Sequence, residues 1–145
     1  VIIFASSKLK VKDLARELRR DKFKIGEMHS DLDQAKRDEV MLNFKNAHID
    51  ILVATDIVAR GIDIDDITMV VNYDVPHDAE DYVHRIGRTG RAKRAGVSFS
   101  FVSFRDSIRM DEIRKYTHVE PIELIFDEFG TLCYKESSDP FLSDL

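Results

Sequence analysis

Ile49-Asp-Ile-Leu-Val-Ala-Thr-Asp56 is the stretch that decides how this 145-residue chain folds. Its apolar run from Ile49 to Ala54 predicts a buried strand that delivers Thr55 and Asp56 into a loop. The same pattern recurs on both sides of it. Val1-Ile-Ile-Phe-Ala5 ends at Ser6-Ser7, and Lys24 to Met28, a weaker strand, ends at His29-Ser-Asp31. Met69-Val-Val-Asn-Tyr73 is closed by Asn72 and Asp74, and Val97-Ser-Phe-Ser-Phe-Val102 runs out at Ser103. Helical patterns fill the intervals. One runs from Lys8 to Arg20 after the Ser-Ser cap, with Leu14 and Leu18 at i, i+4, and a second from Asp33, a good N-cap, to Phe44. Two more cover Ala79 to Ile86 and about Ser103 to Tyr116.

Strands alternating with helices over short loops predict a parallel sheet with helices on both faces, an α/β doubly wound domain, because right-handed crossovers leave few other topologies. In such sheets ligands sit outside the carboxyl ends of the strands. The unusual polar residues fall at those ends: Ser6-Ser7, His29 to Asp31, Thr55-Asp56, Asn72 and Asp74. Gln34 and Arg37, at i, i+3 in the first turns of the second helix, point over the same edge. Taken singly, each is a cap or turn residue. Their convergence on one edge marks a binding face.

Hydrophobic residues at 43% and charged residues at 34% are ordinary for a globular chain and exclude disorder over most of its length. No apolar run approaches the ~20 residues needed to span a bilayer, and no basic-then-apolar leader opens the chain, so no membrane partner is expected. The single Cys133 cannot form an internal disulfide and fits a reducing, cytosolic setting. The net charge of −5 argues mildly against nucleic acid, but it is unevenly spread. Asp127 to Leu145 holds five acids and one Lys135, so the rest is close to neutral. Residues 122–145 read as a partly flexible extension to a domain over 1–121; Ile122 to Phe126 has strand character and Ser137 to Leu145 looks frayed.

Against that body, Arg85 to Arg94 carries five positive residues and no acid. Within it His84-Arg-Ile-Gly-Arg-Thr-Gly-Arg91 sets Arg85, Arg88 and Arg91 at three-residue spacing, and such arginines repel one another unless an anion sits among them. Phosphate is the natural anion, held by side chains rather than by the end of the preceding helix, whose dipole has the wrong sign. Gly87 and Gly90 give the backbone freedom to set Arg88 and Arg91 side by side, where they can stabilise a transferring phosphoryl group. Earlier in the chain, Gly61 lets backbone approach a ligand, and Asp63 offers acceptors to a sugar hydroxyl.

Ala54-Thr-Asp-Ile-Val-Ala-Arg-Gly-Ile-Asp63 and His84-Arg-Ile-Gly-Arg-Thr-Gly-Arg91 together resemble motifs V and VI of the DEAD-box RNA helicases, in that family's order and spacing. Val1-Ile-Ile-Phe4 is similar to motif IV, and Gln34-Ala-Lys-Arg37 to the Q-x-x-R of motif IVa, so the match covers about Val1 to Tyr116. One departure is His29-Ser30-Asp31, where the family usually has His-Gly-Asp. The phosphate-cradling G-x-x-x-x-G-K-[ST], the D-E-A-D tetrapeptide and the S-A-T motif, which members carry in their other domain, do not occur.

The resemblance implies a RecA-like three-layer α/β/α domain with a mostly parallel sheet. It is the C-terminal half of an ATP-dependent RNA helicase and begins within motif IV; alone it should not turn over. An N-terminal RecA-like domain of the same protein is the implied partner, completing an ATP site and an RNA groove and supplying the magnesium ligands. By motif position, Asp63 and Gly61 belong to the ATP site. Arg88 and Arg91 reach the γ-phosphate, Arg91 as arginine finger, and His84 links the site to the other domain. Arg37 and Thr55 contact the RNA backbone, supported by Gln34, Ser6 and Arg60, and Phe4 packs beneath the motif VI arginines. Backbone contacts of this kind imply sequence-independent RNA binding by a monomer. Two alternatives remain at this point: a DNA-directed superfamily 2 helicase or translocase, and a non-catalytic module that binds RNA or protein through the same face.

Overall fold

In β1 (Ile2–Ala5) and β3 (Ile51–Thr55) successive side chains serve two different cores, which explains why these strands are apolar almost throughout. Ile2, Phe4, Leu52 and Ala54 pack on one face of the sheet with Met28, Val40, Ile67 and Val70. Ala5 and Val53 pack on the other with Val11, backed by Ile3, Leu14, Leu18, Ile25 and Ile51. Two helices cover these faces. Helix α1 (Lys8–Arg20) brings Val11, Leu14 and Leu18 to the second face, and α2 (Gln34–Lys45) brings Val40, Met41 and Phe44 to the first. The structure is a computed structural model that describes residues 1–56, 67–87 and 96–135.

With β2 (Ile25–Met28), β4 (Met69–Asn72) and β5 (Val97–Ser100) the strands form a five-stranded sheet in the order β2-β3-β1-β4-β5, each neighbouring pair parallel. The three-layer α/β/α architecture expected from the alternation is therefore present. The register is what matters for the site. Ala5 lies opposite Thr55 on one side of β1, and Phe4 lies opposite Asn72 on the other. The ends of β3 and β4 thus flank the end of β1.

The caps follow the sequence. Ser7 accepts from Lys10 N at 3.2 Å to start α1, Asp33 accepts from Lys36 N at 2.8 Å to start α2, and Asp78 accepts from Asp81 N at 2.8 Å to start α3 (Ala79–Ile86). Gly26 in β2 lets Ile49 and Val40 pack close, since a Cβ there would meet Ile49 Cδ1 at 2.7 Å and Val40 Cγ1 at 3.1 Å and push those side chains aside.

Two expectations need correction, and the strand character of Ile122 to Phe126 is borne out and extended. The helix expected from Ser103 begins instead as a 3₁₀ turn at Phe104–Asp106, and α4 follows at Ser107–Thr117. Ser103 Oγ donates to Asp106 Oδ2 at 2.8 Å and Ser107 Oγ to the Phe104 carbonyl, local bonds that favour a turn over a continuous helix. Strand β6 (Leu124–Phe126) is not alone: it pairs antiparallel with β7 (Leu132–Tyr134) around a turn in which Asp127 Oδ1 accepts from Phe129 N and Thr131 N. Finally, Gly87 sits at φ −65°, so no left-handed freedom is used there; the glycine leaves room instead, since a Cβ would meet the Val83 carbonyl oxygen at 3.0 Å. Gly90 and the frayed tail expected from Ser137 lie outside the described residues.

Candidate functional site

Arg85 joins two of the strand ends at the carboxyl edge and lies over the third. It occupies the last turn of α3 and points inward, fully buried at 0% exposure, with its Cζ 5.8 Å from the centroid of the Phe4 ring. Nε donates to Asp56 Oδ1 and one terminal nitrogen donates to Asp56 Oδ2 at 2.7 Å, a bidentate fork. That same nitrogen stands 3.5 Å from Asp74 Oδ1, while the other donates to the Asp74 carbonyl at 2.7 Å and to Asn72 Oδ1 at 3.4 Å. Asn72 in turn donates to Ser100 Oγ at 2.9 Å, extending the network to β5. A buried guanidinium is tolerable only when paired and hydrogen-bonded in this way.

This overturns part of the arginine reading. The anion that answers Arg85 is a carboxylate of the chain itself, and its donors are committed to Asp56, Asn72 and Asp74. It is not a phosphate ligand. Sequence proximity hid both acids, because Asp56 is 29 residues from Arg85 and Asp74 is 11 away. The expected packing of Phe4 beneath the motif VI arginines is present for Arg85.

Asp74 also holds the other side of the edge. Its Oδ2 accepts from Ser6 N at 2.9 Å and from Lys10 Nζ at 3.2 Å, and Lys10 reaches Ser6 Oγ at 3.2 Å. Burial works to raise the Asp74 carboxyl, but the bonds from the Ser6 backbone and side chain and from Lys10 outweigh it and hold the group below its ordinary value. Ser6 is thereby fixed in place at the carboxyl end of β1, as expected, with its side chain exposed.

Thr55 lies at the same level. Its side chain is 7% exposed, and Oγ1 is buried with no hydrogen-bond partner among the described residues. A buried hydroxyl without a partner asks for an explanation, and an edge that receives a ligand provides one. Arg37, half-buried in the first turn of α2, likewise has a buried Nε without a partner among the described residues, whereas Gln34 is exposed and donates to Asp38 Oδ1 at 2.9 Å. His84, half-buried, precedes Arg85 in the last turn of α3. His29 is buried, and its Nδ1 accepts from Asp31 N at 3.3 Å. Ser30 is absent from the positions of positive φ, so its backbone conformation does not call for glycine.

Arg60, Gly61, Asp63, Arg88 and Arg91 lie outside the described residues. The structure therefore brings Ser6, Thr55, Asp56, Asn72, Asp74 and Arg85 together, and describes motif V as far as Asp56 and motif VI as far as Gly87. Among the described residues no group of three His, Cys, Asp or Glu side chains is arranged to hold a metal ion. A depression of about 400 Å³ between Asp111, Arg114, Lys115, His118 and Glu120 contains none of the edge residues.

The chain matches the helicase conserved C-terminal domain over residues 1–93. It is 42% identical over 126 residues to the ATP-dependent RNA helicase eIF4A of Saccharomyces cerevisiae, an alignment covering 87% of this chain and 32% of that protein. The chain thus spans about a third of the length of such curated relatives. A DEAD box protein from the hyperthermophile Methanococcus jannaschii superposes with a TM-score of 0.78 at 40% identity, over 82% of this chain and 33% of that one. The C-terminal domain of the DEAD-box protein Dbp5 superposes with a TM-score of 0.76 at 38% identity, over 82% of this chain and 71% of that domain.

Proposed function

The chain belongs to the DEAD-box helicases, whose conserved C-terminal domain it carries, and from that premise we propose that it forms half of an ATP-driven machine acting on RNA. The whole protein binds and hydrolyses ATP and separates or remodels RNA strands; this domain supplies an arginine finger and one wall of the RNA groove. The relatives' printed activity, ATP-dependent RNA helicase, supports this, and so does the edge itself.

The single observation that carries the reading is the carboxyl edge built around Arg85. It ties Asp56, in the first turn of motif V, to Arg85, the second residue of motif VI at the end of α3. In that reading Asp63 and Gly61 receive the ATP ribose, Arg88 and Arg91 the γ-phosphate, and His84 couples the site to an N-terminal RecA-like domain. Thr55 and Arg37 hold the RNA backbone with Gln34, Ser6 and Arg60. The unpartnered Thr55 hydroxyl and Arg37 Nε support that assignment, since a phosphate or ribose oxygen satisfies both. Magnesium accompanies the nucleotide, with its ligands on the N-terminal domain. When bound, ATP supplies the phosphoryl group; the chain's own part is to neutralise charge as that group is cleaved. The protein acts as a monomer, and the lone Cys133 fits a reducing cytosolic compartment.

The test is ATP hydrolysis by the full-length protein with and without single-stranded RNA. RNA-stimulated turnover is expected, and Arg91→Ala should lower kcat by about 10³-fold or more while changing ATP affinity far less. Turnover in Arg91→Ala close to that of the unsubstituted protein removes the finger assignment. A protein that neither binds RNA nor hydrolyses ATP removes the whole reading.

A further inference from the structure

We propose that Asp56 is a positioning residue for the nucleotide arginines: through its fork with Arg85 it fixes where the segment carrying Arg88 and Arg91 leaves the fold relative to the segment carrying Asp63. The inference rests on the proposed ATP reading and assigns a role to two residues that make no contact with nucleotide in it.

Three observations carry it. The first is commitment: Arg85 is fully buried, and each of its side-chain nitrogens is engaged inside the chain, through hydrogen bonds to Asp56, Asn72 and the Asp74 carbonyl and an ion pair with the Asp74 carboxylate. Its position in the motif is then explained by what it holds, not by what it binds. The second is placement. Asp56 is the residue immediately after β3, seven before Asp63, and Arg85 is three before Arg88. The fork therefore joins the starting points of both segments. The third is rigidity. A bidentate guanidinium–carboxylate pair has one planar geometry, and here Phe4 in β1 lies against the guanidinium, which leaves the fork little room to tilt. A site for phosphoryl transfer depends on such placement, because a displacement of about 1 Å in a catalytic group costs on the order of 10²-fold in rate.

Thr55 adds a direction to the coupling. It immediately precedes Asp56, so RNA seated on Thr55 presses on the strand end that holds the fork. RNA-stimulated turnover is accordingly the quantity most exposed to its loss.

Asp56→Asn tests this in the full-length protein. The substitution keeps size and shape but turns one carboxylate oxygen into an N–H donor facing a guanidinium donor, which breaks the fork. RNA-stimulated kcat should fall by about tenfold or more while KM for ATP stays within about twofold, because a misplaced arginine finger weakens the transition state and not the ground state. A destabilised control, Val11→Ala in the core beneath α1, lowers the thermal midpoint without touching the edge and should leave kcat unchanged. The double variant Asp56→Asn with Arg91→Ala should be slower than Arg91→Ala by much less than the factor Asp56→Asn costs on its own, since only Arg88 is then left to be misplaced. Normal kcat in folded Asp56→Asn overturns the proposal, as does a loss matched by Val11→Ala or a fully additive loss in the double variant. If the unsubstituted protein shows no ATP hydrolysis, the functional reading fails and takes this proposal with it; hydrolysis that is indifferent to Asp56→Asn removes the positioning role alone.

Discussion

Arg85 and Asp31 are each held by two partners of opposite charge, yet the two clusters do different work. Arg85 sits at 0% exposure between Asp56 and Asp74, whereas Asp31, on the loop after β2, sits in solvent with Lys8 Nζ at 3.0 Å and Lys12 Nζ at 3.1 Å. Around Arg85 water is excluded, so losing a partner strands a charge; around Asp31 water replaces whatever is lost. The number of ion pairs around a residue says little. The solvent left to it decides whether the pairs are structural.

The sharpest way to break this comparison is Asp56→Ala. Removing one partner leaves a buried guanidinium short of both fork bonds, and the loss is expected to be about 3–5 kcal/mol in denaturant unfolding. Asp56 retains some exposure, so water enters from that side and the lower end of the range is expected. Removing both charges, in Arg85→Met with Asp56→Leu, should restore part of the loss, because no unpaired charge remains. A double variant less stable than Asp56→Ala shows that the network acts through packing on Phe4 and not through charge.

This cluster also shows how far a single chain can be read. Asp56, Asn72 and Asp74 were visible as polar residues at the ends of apolar runs, and the alternation of strands and helices was enough to place those ends on one edge, whereas Arg85 was visible only as part of the basic motif. The strand order was not visible. Only the β2-β3-β1-β4-β5 arrangement reveals that Asp56 and Asp74 flank the end of β1, and hence that Arg85 finds its counter-charges inside the chain. Charge counted along the sequence made Arg85 look unanswered, because its partners are separated from it by whole elements. The β6-β7 hairpin was half visible for a related reason: Ile122 to Phe126 has strand character, but Leu132 to Tyr134 is too short to announce itself without its partner. Thr55, Arg37 and Ser6 were placed by the edge argument, and the described structure finds all three at that edge or, for Arg37, in the helix turn that borders it. The motifs themselves were strong enough to indicate the family, which sequence and structural relatives bear out.

Asp74 is intermediate between the two extremes and gives an intermediate effect. In the folded protein its carboxyl lies below the ordinary value of 3.8, since the Ser6 and Lys10 bonds outweigh the opposing effect of burial. The folded state therefore takes up a proton less readily than the unfolded state. The stability tied to this group is fully present above about pH 4 and disappears as pH falls through the lower folded value. Asp74→Asn should reduce stability near neutrality and flatten the acid limb of the stability profile, measured by thermal unfolding between about pH 2 and 6. An acid limb as steep as that of the unsubstituted chain would assign the acid sensitivity to other carboxylates.

Asp31 should show the smallest response. Its carboxyl also lies below the ordinary value, through hydrogen bonds from Lys8 and then Lys12, but it is fully solvated on its open side, and salt and water compete for the same charge. Asp31→Asn is expected to leave the unfolding midpoint nearly unchanged, and whatever difference appears at low ionic strength should vanish by about 1 M salt, where screening acts within ~3 Å. The Asp56→Ala deficit should survive the same salt, because ions do not enter the space around Arg85. A deficit in Asp31→Asn that persists at high salt would mean that Lys8, Asp31 and Lys12 form a desolvated bridge between α1 and the loop after β2, and the contrast with Arg85 would then be one of degree.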